Sequence, residues 1–228
     1  MKKQLFISTL LTSSLLLTGC FSKSISAEEF KTALNDVKTY VNGEFASGDM
    51  NCHINDDLQY TYDFKEGEFF RYNSFALLII VPITELECTW TKDGKYYHYV
   101  KYSANEKKNK DEEITKAEFD ALMLVHKATM LTQLNRPITS TETYMSDENT
   151  ESTYSYNSSS KTYSINAVVK YTVEMYEDGS MTSVEKQETN NISFKNNLPT
   201  QWKIKGDGKK TWKYSYGNAK FTNPKDNN

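Results

Sequence analysis

The chain of 228 residues predicts an α+β fold, an antiparallel sheet packed by two amphipathic helices. Two observations carry this. Capping boxes at 26–29 and 115–118 each open an apolar stripe of helical spacing. Elsewhere, runs of alternating apolar and polar residues are separated by Asp-Gly and similar turn signals, the pattern of half-buried strands joined as hairpins.

Residues 1–19 stand apart from that pattern. Lys2 and Lys3 precede an apolar stretch, 5–17, broken only by Ser and Thr. It is shorter than the ~20 residues that cross a bilayer as helix, and it has the layout of a secretory signal. Residues 20–25 make a short tether, 26–222 the α+β domain and 223–228 a polar tail.

In the first helix Phe30, Ala33, Leu34, Val37 and Val41 share one stripe, and Gly43 marks its stop. Leu58, Tyr60, Tyr62 and Phe64 then alternate as a strand. A turn at Glu66-Gly67 leads to a strand at 69–72, and 75–81 reads as one strand buried on both faces. Strands at 86–91 and 96–102 flank the turn Lys92-Asp93-Gly94-Lys95. The charged run 105–113 reads as a solvated loop.

Phe119, Leu122, Met123, His126, Met130 and Leu134 form the second helical stripe, which Arg136-Pro137 ends. Residues 139–161 read as a long loop or weak edge strands. In 163–176, Tyr163, Ile165, Ala167, Val169, Tyr171, Val173 and Met175 share a face. Asp178-Gly179 turns this strand into 181–190, and 192–194 is a short strand. Leu198-Pro199 turns again, 202–205 and 210–216 flank Gly206-Asp207-Gly208, and 219–222 is a last strand. Segments 25–30 and 114–119 match, and each half ends in an Asp-Gly-Lys hairpin, at Asp93 and Asp207. Either the chain holds two repeats, 25–103 and 114–222, or common capping and turn signals recur.

Charged residues make up 25% of the chain, and the mean hydropathy is -0.68, so the domain is soluble. Leaving Lys2 and Lys3 out of the 27 basic residues gives 25 against 30 acidic, a net charge of -5. That balance excludes nucleic acid, which needs a concentrated basic footprint. It also excludes docking on anionic lipid through a polybasic patch.

Leu17-Thr18-Gly19-Cys20 resembles the lipobox of bacterial lipoproteins. The resemblance implies diacylglycerol on the Cys20 thiol, cleavage before Cys20 and, in many bacteria, acylation of the new amino group, palmitate being the usual kind of chain. The domain would then be held on the extracytoplasmic face of the cell membrane, with the lipid as its attachment. Lipidation leaves two cysteines, and an oxidising compartment suggests that Cys52 and Cys88 pair as a disulfide, worth roughly 3–4 kcal/mol. At fold level the chain resembles the LolA/LppX-type lipoprotein carriers, whose half-barrel encloses an apolar cavity for acyl chains. Its closing stretch, Leu198-Pro199-Thr200 through Tyr216-Gly217-Asn218-Ala219-Lys220-Phe221, is similar to the tail of uncharacterised lipoproteins from low-GC bacteria.

No catalytic motif is present, and no cofactor is implied. His53, His98 and His126 lie apart, His126 on the second apolar stripe as a core residue. Cys52 and His53 lack the further ligands of a metal site. Glu85 and Glu87, two apart, point to one side: an acid/base pair, a cation site or, as favoured, a solvent face beside Leu86 and Cys88. Tyr96, Tyr97, Tyr99 and Tyr102 make either a binding platform or cross-strand pairs, the latter favoured. The expected function is a non-enzymatic binding protein for a lipid or other apolar ligand, in a cavity lined by 75–81, the Tyr163 face and the helix stripes. The alternative is a surface interaction, adhesion or structural module with a protein partner.

Overall fold

The computed structural model describes residues 22–56, 59–77, 81–177, 180–206, 209–217 and 219, with backbone alone at 75–77, 81–82 and 177. The expected signal at 1–19, Cys20, the polar tail, the turns at 178–179 and 207–208 and most of 219–222 lie outside the described residues. The fold is α+β. Twelve strands form one open antiparallel sheet: β1 (Lys23–Ser24), β2 (Cys52–Asp56), β3 (Tyr60–Lys65), β4 (Glu68–Leu77), β5 (Val81–Lys92), β6 (Lys95–Tyr102), β7 (Lys110–Ile114), β8 (Thr150–Asn157), β9 (Thr162–Glu177), β10 (Ser180–Lys195), β11 (Leu198–Lys205) and β12 (Lys210–Tyr216). Their spatial order is β1-β8-β9-β10-β11-β12-β2-β3-β4-β5-β6-β7.

This order needs two long crossovers, and the helices supply them. β1 and β2 lie six strand spacings apart, ~29 Å along the sheet. Helix α1 (Ala27–Tyr40) covers that span. It is capped by half of the expected box, the Ser26 hydroxyl accepting from the Glu29 N–H at 3.1 Å. It does not stop at Gly43, however. A π-helical turn, Val41–Phe45, carries it on to residue 47, for a total rise of ~31 Å. β7 and β8 lie ten spacings apart, ~48 Å. Helix α2 (Lys116–Ser146) crosses that distance with a rise of ~46 Å. Its full capping box pairs Thr115 with Glu118 in both directions.

Pro137 therefore does not end the second helix. It removes one N–H, at a cost of about 3 kcal/mol. Burial of Met130, Leu134 and Ile138 outweighs that, and the Thr141 hydroxyl donates to the Pro137 carbonyl at 2.7 Å. Successive turns of α2 meet successive strands. Phe119 meets Tyr96 of β6, His126 meets Phe69 of β4, and Arg136 lies over Trp212 of β12. The two helices join through Lys38 and Glu142 at 2.6 Å and through a reciprocal Asn42–Asn135 amide pair.

Several sequence expectations shift. The run 75–81 is not one strand but the two sides of a hairpin, Leu77 pairing with Val81; its turn residues, 78–80, lie outside the described residues. The run 105–113 holds a 3-10 turn and most of edge strand β7. The stretch 139–161 holds the end of α2 and β8. Strands 181–190 and 192–194 are one strand, β10. The turn before β11 is Asn196-Asn197, both at positive φ, rather than Leu198-Pro199.

Phe30, Leu34, Val37, Ile165, Ala167, Ile192 and Phe194 pack a closed core between α1 and the sheet. Among the described residues the fully buried core side chains lie C-terminal to residue 29, so the chain from Ser22 onwards carries them. The hairpin β9–β10 outruns its neighbours. β8 pairs with β9 only as far as Val169, and β11 pairs with β10 only from Thr189. Beyond them a two-stranded arm projects, exposing Tyr171, Met175, Tyr176, Met181 and Val184.

Candidate functional site

Alternation sends Phe69, Arg71 and Asn73 of β4 to the helix-covered face. Register sets Thr89, Glu87 and Glu85 of β5 directly beside them, and His98, Val100 and Tyr102 of β6 beside those. Glu85 and Glu87 do point to one side, but that side is the inner face, not solvent. Arg71 lies between them, bonded to Glu85 and 2.8 Å from Glu87. Tyr102 donates its hydroxyl proton to Glu85 at 2.8 Å.

Two histidines that are distant in sequence converge on Glu87. His98 Nε2 lies 3.4 Å from it and His126 Nε2 lies 3.9 Å from it. His126 bonds the Thr89 hydroxyl at 2.9 Å and stacks on Phe69 with ring centroids 3.8 Å apart. Burial holds His126 down to about 4, so the ring is neutral at neutral pH. Burial alone would raise the Glu87 carboxyl, but the His98 hydrogen bond and the Arg71 charge bring it below its ordinary value. These groups occupy one another. Among the described residues no three His, Cys, Asp or Glu side chains are arranged to hold a metal ion. The third histidine, His53, faces the other side of the sheet, 2.8 Å from Asp63.

The cysteines do not pair. Cys52 on β2 and Cys88 on β5 are both buried free thiols. Three strand spacings, ~14 Å, separate them, twice the Cα distance a disulfide can bridge. Their side chains also leave opposite faces, since Cys52 aligns through Phe64 and Phe69 with Thr89, the neighbour of Cys88. Burial pushes both thiols up to about 12. The tyrosines of β6 are likewise divided. Tyr96 packs on Phe119, whereas Tyr97 stacks on Trp90 of the outer face.

The Tyr163 face is also split. Ile165 and Ala167 are closed off in the core, and Tyr171 and Met175 stand on the arm. An open cleft of about 720 Å³ lies elsewhere, between the first turns of α2, the link from α1 to β2 and the β3–β4 turn. Met50, Phe64, Phe119, Met123 and Leu124 give it an apolar lining, and Leu124 is 72% exposed at its lip. Its size is that of small-molecule sites, about 300–1,000 Å³. No single alternating run points to it, because three separate connections build it.

Strand direction fixes which end of the sheet this is. β1 pairs Lys23 with Tyr156, near the end of β8 that turns into β9. Following the antiparallel register across the sheet, that end also carries the Asn196-Asn197, Glu66-Gly67 and Asp93-Gly94 turns. The chain thus enters at Ser22 on the end that holds the cleft, and the arm projects from the opposite end. No protein-family model and no curated protein matches the chain.

Proposed function

We propose that this chain is a lipid-anchored extracytoplasmic lipoprotein that binds an apolar ligand without catalysing a reaction. The lipobox-like Leu17-Thr18-Gly19-Cys20 supports the anchor. The observation that carries the binding reading is that an apolar cleft shares one end of the sheet with the entry of the chain at Ser22. A lipid on Cys20 would turn that end toward the bilayer, where acyl chains are the abundant apolar ligand. The convergent His98, His126, Glu85 and Glu87 have a structural role in this reading. Arg71 and Tyr102 already take up the carboxylates, and α2 closes over them.

Native mass spectrometry of the chain from Ser22, purified after expression in a membrane-rich host, tests the binding. A co-purifying lipid that Met123→Arg abolishes is expected; a bare protein that takes up no added lipid would refute it. Replacing Cys20 by Ser tests the anchor, since persistent lipid labelling would overturn it.

The exposed Tyr176 and Met181 on the β9–β10 arm favour a second reading, an interaction module for a surface protein partner. It predicts that trimming the arm abolishes partner binding and leaves the cleft and the fold intact.

A further inference from the structure

The cleft has a charged rim as well as an apolar floor. Asp49, Glu66 and Asp120 line it with a single cation, Lys127. Asp120 is partly neutralised by Lys116 one turn earlier, at 2.6 Å. Asp49, Glu66 and Lys127 form no ion pair among the described residues. Two carboxylates and one ammonium without ion-pair partners among the described residues therefore line an apolar cavity. The nearby Lys65 cannot offset them, because it is engaged by Glu68 at 2.7 Å.

From this we infer that the cleft selects amphiphiles by head-group charge, taking a cationic head and disfavouring an anionic one. The inference rests on the apolar-ligand reading above. The tail lies on Met50, Phe64, Met123 and Leu124, and an ammonium head lies at the Asp49–Glu66 side of the rim. A carboxylate or phosphate head would meet like charge there. Lys127 offsets only one of the two carboxylates. Exposed charges a few ångströms apart, partly screened by water, discriminate by about tenfold.

The test holds the tail constant and changes the head. Dodecyltrimethylammonium, dodecyl maltoside and laurate are titrated at neutral pH, below their micellar concentrations, into the chain from Ser22 and followed by calorimetry. The cation should bind about tenfold more tightly than laurate, with the maltoside between them. Asp49→Asn with Glu66→Gln should collapse the ratio, and Lys127→Gln should widen it. Glu174→Gln with Glu185→Gln on the distant arm removes the same net charge and should leave the ratio unchanged. If this arm variant collapses it equally, the preference belongs to the acidic protein as a whole, and the cleft inference fails. If all three probes bind within threefold of one another, or laurate binds best, charge selection fails and the apolar-ligand reading stands. If no probe binds, the apolar-ligand reading itself fails.

Discussion

Replacing His126 by Gln should flatten the pH dependence of stability between about pH 6.5 and 4. His126 is only 2% exposed, stacked on Phe69 and bonded to Thr89. Burial is the main cause of its depression from 6.5 to about 4, reinforced by the charges of His98 and Arg71 and opposed by Glu87. In the unfolded chain the imidazole takes up a proton below about pH 6.5; in the folded chain it stays neutral down to about 4. The unfolded state therefore binds more protons in this window. The contribution of His126 is complete above pH 6.5 and is lost as the pH falls toward 4. The fall from 6.5 to about 4 corresponds to about 3 kcal/mol. For a domain of this size that is a fall in Tm of about 6–12 °C. Gln has no proton to gain and keeps an amide within reach of Thr89. Thermal unfolding of the chain from Ser22, followed by circular dichroism at several pH values, reads the difference between wild type and variant. If the Gln variant loses the same stability over this window, burial of the imidazole is not its source.

Arg71→Met should cost about 3 kcal/mol in urea unfolding, because Glu85 and Glu87 would stay buried without their cation. The combined Arg71→Met, Glu85→Gln, Glu87→Gln variant should recover much of that loss, and no recovery would deny that unpaired charge is the cause. Thiol labelling should find Cys52 and Cys88 unreactive in the native protein and both reactive in denaturant without reductant, with no mass change on reduction. A gain of two protons on reduction would instead reveal a disulfide. Ile192→Ala, at a fully buried core position, should cost about 2–5 kcal/mol in the same unfolding assay. Thr115→Ala should cost about 1 kcal/mol by removing the α2 capping box, and an unchanged midpoint would contradict that role.

What could be read from sequence was what local chemistry decides. Ser26 and Thr115 announce helix starts because the cap and its partner lie three residues apart. Asp93-Gly94 announces a hairpin because two successive residues need positive φ. Helix ends were harder. Gly43 and Pro137 are weak helix residues, but Val41 and Phe45 beside the one and Leu134 and Ile138 beside the other pack into the core, so tertiary burial overrides their propensity. Strand β2 carries no strong strand pattern and is held between β3 and β12, the latter from the other end of the chain. The site follows the same division. That Glu85 and Glu87 share a side was legible from their spacing; that Arg71 lies between them depends on register across β4 and β5. The convergence of His98 with His126 depends on where a crossover helix lies, and the cleft depends on three connections meeting.

The pairing of β12 with β2 also sets the order in which the molecule can be made. β2 pairs with β3 locally, but its other edge finds a partner only when Tyr216, in the last strand described, becomes available. Until then β2–β7 and β8–β11 are two separate ribbons, each with an unpaired edge. Contacts this distant along the chain make assembly slow and leave open edges exposed meanwhile. Loss of the final strand would accordingly remove the central seam of the molecule rather than trim its margin.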